Sequence, residues 1–353
     1  MNRLPKSIYC QLASASHVQG IAFDAEQKYV YISFTTTLVK ADLEGNIVGS
    51  VTGLTGHLGC IAFNKDDGKV YGSIEYKHDS IGKGIIGRLD GKSLAEEDAF
   101  YIAIFDVDKL DREGMDAEKD GVMKAVYLPD VVADYAYNEN GINHRYGCSG
   151  IDGTAIGRVP GSPEGSPSML LVAYGIYRDL ERKDNDCQVI LQYDWRKFDS
   201  VAKPLSQLEP HHSGLDCDER YFVFTGNTTY GIQNLEYDAF TGDYFAAVYP
   251  GKKPEFANYP MFVIDGKVAP EEKELPGLSG ETGKMLSLRQ TGLCEGEIKT
   301  FGYRFGYGDT GLYSLGNGYF YISHHSKPAE RVYATEIKLY KYVGKDDCLF
   351  ELV

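Results

Sequence analysis

Cys60-Ile61-Ala62-Phe63-Asn64, then Lys65-Asp66-Asp67-Gly68-Lys69, then Val70-Tyr71-Gly72-Ser73-Ile74-Glu75-Tyr76 is the stretch that decides the fold. A small residue and aliphatics lead into a polar Asp-Gly turn, and a run rich in β-branched and aromatic residues follows. That order reads as two antiparallel strands joined by a short hairpin.

The unit recurs. Gly20-Ile21-Ala22-Phe23-Asp24 precedes a strand from Tyr29 to Phe34, and Gly150-Ile151-Asp152 precedes, after a longer turn over 161–167, a strand from Met169 to Tyr174. Asn234-Leu235-Glu236-Tyr237-Asp238 leads through Phe240-Thr241-Gly242-Asp243 into Tyr244 to Tyr249, and Gly311-Leu312-Tyr313-Ser314-Leu315 leads through Gly316-Asn317-Gly318 into Tyr319 to Ser323. A third strand follows each pair, over 37–42, 101–106, 188–194, 260–265 and 337–342. A fourth is legible over 124–127 and 221–225. Long stretches of 3.6 periodicity are missing, so the class is all-β. Five units of about four antiparallel strands predict one β-propeller domain over 1–353, with blades starting near 17, 57, 147, 231 and 308. His211-His212-Ser213-Gly214-Leu215 also looks like a lead-in and makes six blades the alternative. Only twenty residues separate it from the lead-in at Asn234, so it reads as an outer connection of the third blade.

The repeat resembles the broad class of bacterial propellers with YD and TG strand pairs, as in Tyr237-Asp238 and Thr241-Gly242, and the resemblance covers nearly the whole chain. It implies the fold only, because that class spans hydrolases, lyases, isomerases and scaffolds.

Composition bounds the rest. A net charge of −15 argues against nucleic acid or an anionic membrane as partner. No run of eighteen apolar residues predicts a membrane helix, and no apolar leader follows Met1. Seven cysteines without a CxxC pair suit a reducing compartment, so a cytoplasmic location is expected. Asp106-x-Asp108-x-x-Asp111 lacks the Gly and Glu of a calcium loop and reads as a solvated acidic connection.

Blade topology sorts the polar residues by face. First strands begin and second strands end on the same face of the disc. That face therefore receives His17, Gln19, His57, Tyr146, Tyr230, Gln233, Tyr307 and Asp309 ahead of or at the first strands. Tyr76, Lys77, His78, Tyr177, Arg178, Tyr249, Lys252, His324, His325 and Lys327 follow the second strands. The opposite face receives tight turns and acidic connections.

Three sets of chemistry follow. His17, His57, His324 and His325 are the candidate catalytic groups. Of these, His17, His57 and His324 would accept one divalent metal ion, with Gln19, Gln233 or Asp309 adding oxygen ligands. Pectin-degrading lyases of the propeller class hold a metal with His and Gln, which is a likeness of fold and residue type only. Arg178, Lys252 and Lys327 would hold an anion, and Tyr76, Tyr177 and Tyr249 a sugar ring, with His78, Tyr146 and Tyr230 beside them. Asp152 and Glu236 are a candidate carboxylate pair for glycosidic chemistry. Cys148 near His144 is a weaker nucleophile, and no G-x-S-x-G elbow is present. The expectation is an enzyme of lyase or hydrolase type acting on a small anionic or saccharide ligand. The alternative is a non-catalytic propeller that docks a ligand or a protein on that face.

Overall fold

The computed structural model describes residues 4–13, 17–87, 97–139 and 141–353. Five blades form a ring. The first carries Val18–Phe23, Tyr29–Phe34, Thr37–Asp42 and Ile47–Thr52 in antiparallel order. The second carries His57–Asn64, Lys69–Tyr76, Ala99–Phe105 and Met123–Tyr127, and the third Cys148–Gly157, Met169–Ile176, Cys187–Tyr193 and Glu219–Phe224. The fourth has three strands, Thr229–Asp238, Asp243–Tyr249 and Met261–Ile264, and its outer position is filled by bridges to Leu288 and Tyr303.

The fifth blade joins both ends of the chain. Leu312–Ser314, Tyr319–Ala329 and Val332–Lys345 are completed on the outer edge by Ser7–Ala13 and by Cys348–Leu352. Pairing Ser7 with Lys338 and Ala13 with Val332 closes the ring and covers an edge that would otherwise be open.

Period-two alternation explains how the blades stack. In the first blade Tyr31 and Leu38 pack with Leu58, Ile61 and Ile74 of the second. Their neighbours Val30, Ile32 and Val39 pack instead with Tyr313, Tyr321 and Ile337 of the fifth. Similar clusters lie between the second and third, third and fourth, and fourth and fifth blades. Each blade thus buries both faces, which is why its central strands are apolar on both parities.

The segment around His211 starts no blade. Tyr127 N donates to Ser213 O at 3.1 Å and the Tyr101 hydroxyl donates to His211 O at 2.9 Å, so it folds back along the outer edge of the second blade. The acidic connection after Phe105 is solvated at its carboxylates and anchored by its apolar side chains. Asp108 and Asp111 are exposed, but Val107 and Leu110 are buried, and the Lys40 ammonium donates to their carbonyls at 2.9 and 3.3 Å. No helix among the described residues is long and apolar enough to cross a membrane. All seven cysteines are free thiols.

Candidate functional site

A cavity of about 280 Å³ opens on the axis, on the face where the first strands begin. The first strands of the first four blades carry register shifts near this end, between Val18 and Gly20, Leu58 and Ile61, Cys148 and Gly150, and Thr229 and Ile232. Such bulges bend a strand and re-aim its side chains. The helix Ser80–Ile86, inserted after the second strand of the second blade, contributes Ser80, Ile81 and Ile85 to the wall. Asp79 caps this helix by accepting from Ile81 N and Gly82 N.

Glu75 and Lys77 form the charged centre. Their side chains are 3% and 4% exposed, and Lys77 Nζ lies 2.6 Å from Glu75 Oε1. Lys77 also donates to Ser149 O at 2.6 Å, and Ile151 N donates to Glu75 Oε2 at 3.1 Å. Burial works against both charges, but each outweighs that cost for the other. Glu75 is held below the usual carboxylate range by Lys77 and His57, and Lys77 is held above the usual lysine value by Glu75 and Asp79. A buried pair of this kind needs such extra hydrogen bonds to persist.

Asp152 is of the opposite character. It is 7% exposed, and its Oδ1 is buried without a hydrogen-bond partner among the described residues. Burial pushes its carboxyl up to about 7, with His57 opposing and Glu75 adding to the rise. A Cβ at position 59 would stand 2.6 Å from Ser73 Oγ and closer still to Asp152 Oδ1, so glycine there makes the room for this carboxyl. His57 completes the group, with Nδ1 3.4 Å from Glu75 Oε1. Burial pulls its imidazolium down, yet Glu75 and Asp152 together raise its pKa. One ionised carboxylate, one carboxyl poised near neutrality and one imidazole thus share a cavity, which is the arrangement that separates acid and base roles.

The cavity also receives the expected His17, Gln19, Tyr230, Gln233 and Tyr249. Gln19 Nε2 donates to Thr35 Oγ1 at 2.9 Å, Gln233 Nε2 to Tyr230 O at 3.0 Å, and His17 Nδ1 lies 2.8 Å from Val18 O. Tyr230 holds a φ of 63°, a left-handed conformation that costs a non-glycine residue and recurs at functional positions.

Other candidates sit elsewhere. Tyr76 points away because Glu75 and Lys77, its neighbours on the strand, face the cavity; its hydroxyl donates to Gln207 at 3.0 Å. His324 is outside the cavity lining, stacked 3.9 Å from the Tyr307 ring, with Nε2 2.9 Å from the Tyr340 hydroxyl, and burial lowers its pKa. His325 is exposed, its ring 5.8 Å from that of His17. Asp309 is half-buried beside His325, its carboxyl raised by burial. His78 pairs with Asp98 at 3.0 Å, the Tyr177 hydroxyl donates to Asp79 at 2.6 Å, and Tyr146 is buried under Arg145 and Arg220. Arg178, Lys252 and Lys327 are exposed and do not line the cavity.

Two further expectations are corrected. Asp152 and Glu236 are not a pair, since Glu236 lines a separate cavity among the turns of the opposite face. Cys148 is buried with its thiol pushed far above the usual range, which removes it as a nucleophile. Among the described residues, no three His, Cys, Asp or Glu side chains are grouped so as to hold a metal ion. Glu75 and Lys77 were the residues that sequence reasoning missed as a pair. Their signal was two opposite charges two residues apart at the end of a strand that carries no charge from Val70 to Ile74.

The sequence matches no protein-family model and no curated protein. Solved structures similar to it include hydrazine synthase of Kuenenia stuttgartiensis, at 9% identity and a TM-score of 0.37, over 92% of this chain. This chain spans 64% of that one's length. The PQQ domain of pyranose dehydrogenase from Coprinopsis cinerea is similar at 11% identity and a TM-score of 0.39, covering 90% of this chain and 81% of that one. A GH43_1 enzyme from Xanthomonas citri, complexed with xylose, is similar at 8% identity and a TM-score of 0.42, covering 99% and 94%. Likenesses this distant carry no argument about chemistry.

Proposed function

We propose that the axial cavity is the active site of a small-molecule enzyme that acts on a sugar-like ligand by acid/base chemistry of the hydrolase or lyase type. The observation that carries this reading is Asp152, buried at the cavity with Oδ1 in no full hydrogen bond and with its carboxyl pushed up to about 7 by burial, against the pull of His57 and the Cys60 backbone amide. A group in that state gives or takes a proton at neutral pH, and the missing partner is the atom a substrate would bring.

The roles follow from the contacts. Asp152 protonates the leaving oxygen or removes the proton opposite it. His57, beside it, carries the second proton position. Glu75 has both oxygens occupied, by Lys77 and by Ile151 N, so it is a positioning residue that sets the charge of His57. Gln19, Gln233 and Tyr249 offer amide and hydroxyl groups to a hydroxylated ring, and His17 of the first blade offers its imidazole. The three exposed cations lie away from the cavity, so a neutral sugar suits this mouth better than a strongly anionic one. At about 280 Å³ the space is near the lower end for small-molecule sites and fits one or two rings.

The test is turnover on a panel of aryl glycosides, read as phenol release, and of uronides, read as the absorbance of the unsaturated product. Asp152→Asn should reduce kcat on any active member by about 10²–10⁴-fold while the protein stays folded. Sugar binding without turnover, undiminished in Asp152→Asn and lost in Gln233→Ala, would instead make the propeller a binding module. Absence of both turnover and binding would end the reading.

A further inference from the structure

A second cavity, of about 420 Å³, lies among the turns between first and second strands, formed by the second to fifth blades. It shares no lining residue with the axial cavity and is the larger of the two. Three features mark it as built for a ligand. The first is Glu236, whose Oε1 accepts from Ser314 N at 2.7 Å. Burial pushes this carboxyl up to about 8, Lys65 and the Ser314 amide opposing and Asp238 adding, so at neutral pH it mostly carries its proton and donates.

The second is a pair of cations, Lys65 and Arg158, on the lining. Arg158 donates through Nε to the Tyr237 hydroxyl at 2.9 Å and through Nη1 to Pro163 O at 3.3 Å. Neither cation forms an ion pair with a carboxylate among the described residues, whereas the cations of the axial cavity are neutralised in place. Asp66, also on the lining, is exposed and accepts from Ser168 Oγ at 3.1 Å. The third is an apolar wall from Phe63 and Tyr237. The Tyr237 ring lies so close over Gly157 that a Cβ there would overlap it.

We propose that this opposite-face cavity binds a small hydroxylated carboxylate of the sugar-acid type. Its carboxylate is taken by Arg158 and Lys65, its ring lies against Phe63 and Tyr237, and a ring oxygen or hydroxyl accepts from Glu236. Two unpaired cations favour an anion over an amine. An ammonium ligand would need Glu236 ionised, against its burial. The site stands independently of any catalysis at the axial cavity.

Calorimetric titration of the full chain with D-glucuronate, and with D-glucose as its neutral counterpart, tests this. Glucuronate should bind at least about tenfold more tightly than glucose, as expected for a charge-assisted contact. Lys65→Ala, at an exposed position that should not disturb folding, and Arg158→Gln should each remove that preference. Glu236→Gln keeps a donor at neutral pH and should retain binding, while Glu236→Ala should weaken it. Asp152→Asn, in the other cavity, should leave the titration unchanged. Equal binding of the two sugars, no binding of glucuronate at millimolar concentration, indifference to Lys65→Ala and Arg158→Gln, or loss of binding in Asp152→Asn would each overturn the assignment.

Discussion

The Cys60 thiol donates to Asn234 Oδ1 at 3.3 Å, joining the second blade to the fourth across the axis, 174 residues apart in sequence. The same amide donates through Nδ2 to Gln19 O at 2.8 Å in the first blade and to Asp309 O at 2.9 Å beside the fifth. One buried side chain thus ties four blades together under the axial cavity and holds the backbone of Gln19 in place.

Asn234→Ala should therefore destabilise the protein by about 2–4 kcal/mol, since it takes the amide donor from the buried carbonyls of Gln19 and Asp309, while the Cys60 thiol keeps Thr154 O at 3.4 Å. Urea unfolding would show it as a lower midpoint with an unchanged slope. Cys60, whose thiol burial pushes up to about 12, should resist alkylation in the native protein, and a Cys60 that reacts as fast as a free thiol would contradict the tie.

Lys77→Met should cost about 3–5 kcal/mol, because it leaves Glu75, 3% exposed, with only His57 and the Ile151 amide to offset its buried charge. Adding Glu75→Gln to Lys77→Met should recover part of that loss. If the double variant is as unstable as the sum of the two single ones, the pair is not coupled as its 2.6 Å contact implies.

Stability should fall as pH rises from about 4 to about 7. Asp152 has a folded pKa raised to about 7, above an ordinary value near 4, so its contribution is present below the lower value and lost through the upper. The difference corresponds to up to about 4 kcal/mol. His57, also raised, acts in the same direction, its contribution being lost as pH rises through its folded pKa. Glu75, lowered, contributes above its ordinary value and loses that contribution in stronger acid. Greatest stability is thus expected on the acidic side of neutrality. Asp152→Asn should be more stable than the parent at pH 8 and lose that advantage near pH 4. Denaturant melts across this range give the answer directly, and a flat difference between the two proteins would refute the raised carboxyl.

Gly59→Ala should disturb the site more than the fold. The added methyl runs into Asp152 Oδ1 and Ser73 Oγ, an overpacking that costs about 1–3 kcal/mol. Any activity lost in Asp152→Asn should also fall in Gly59→Ala, while the blade strands stay intact by circular dichroism.

The chain by itself determined the repeat, and with it the class and the five blades. Strand and turn propensity act locally, so the Val70 to Tyr76 strand and its Asp-Gly turn declare themselves within twenty residues. It also placed His17, Gln19, His57, Gln233 and Tyr249 on one face, the face of the axial cavity they line, because antiparallel topology assigns each strand end to one side of the disc. Only the tertiary structure decided which of those side chains meet. At the second blade, parity separates Glu75 and Lys77 from Tyr76. At the first strands, bulges near Leu58 and Cys148 break the parity that pattern reading relies on. Asp152 and Glu236 follow similar lead-ins in two copies of the repeat, yet in first strands of equal length Asp152 stands fifth in Cys148–Gly157 and Glu236 eighth in Thr229–Asp238, which sends them to opposite ends of the axis. The closure of the ring by Ser7–Ala13 against Val332–Lys338 was equally hidden, since pairing across more than three hundred residues leaves no local trace. Convergence is set by distance in space, and sequence periodicity carries no measure of it.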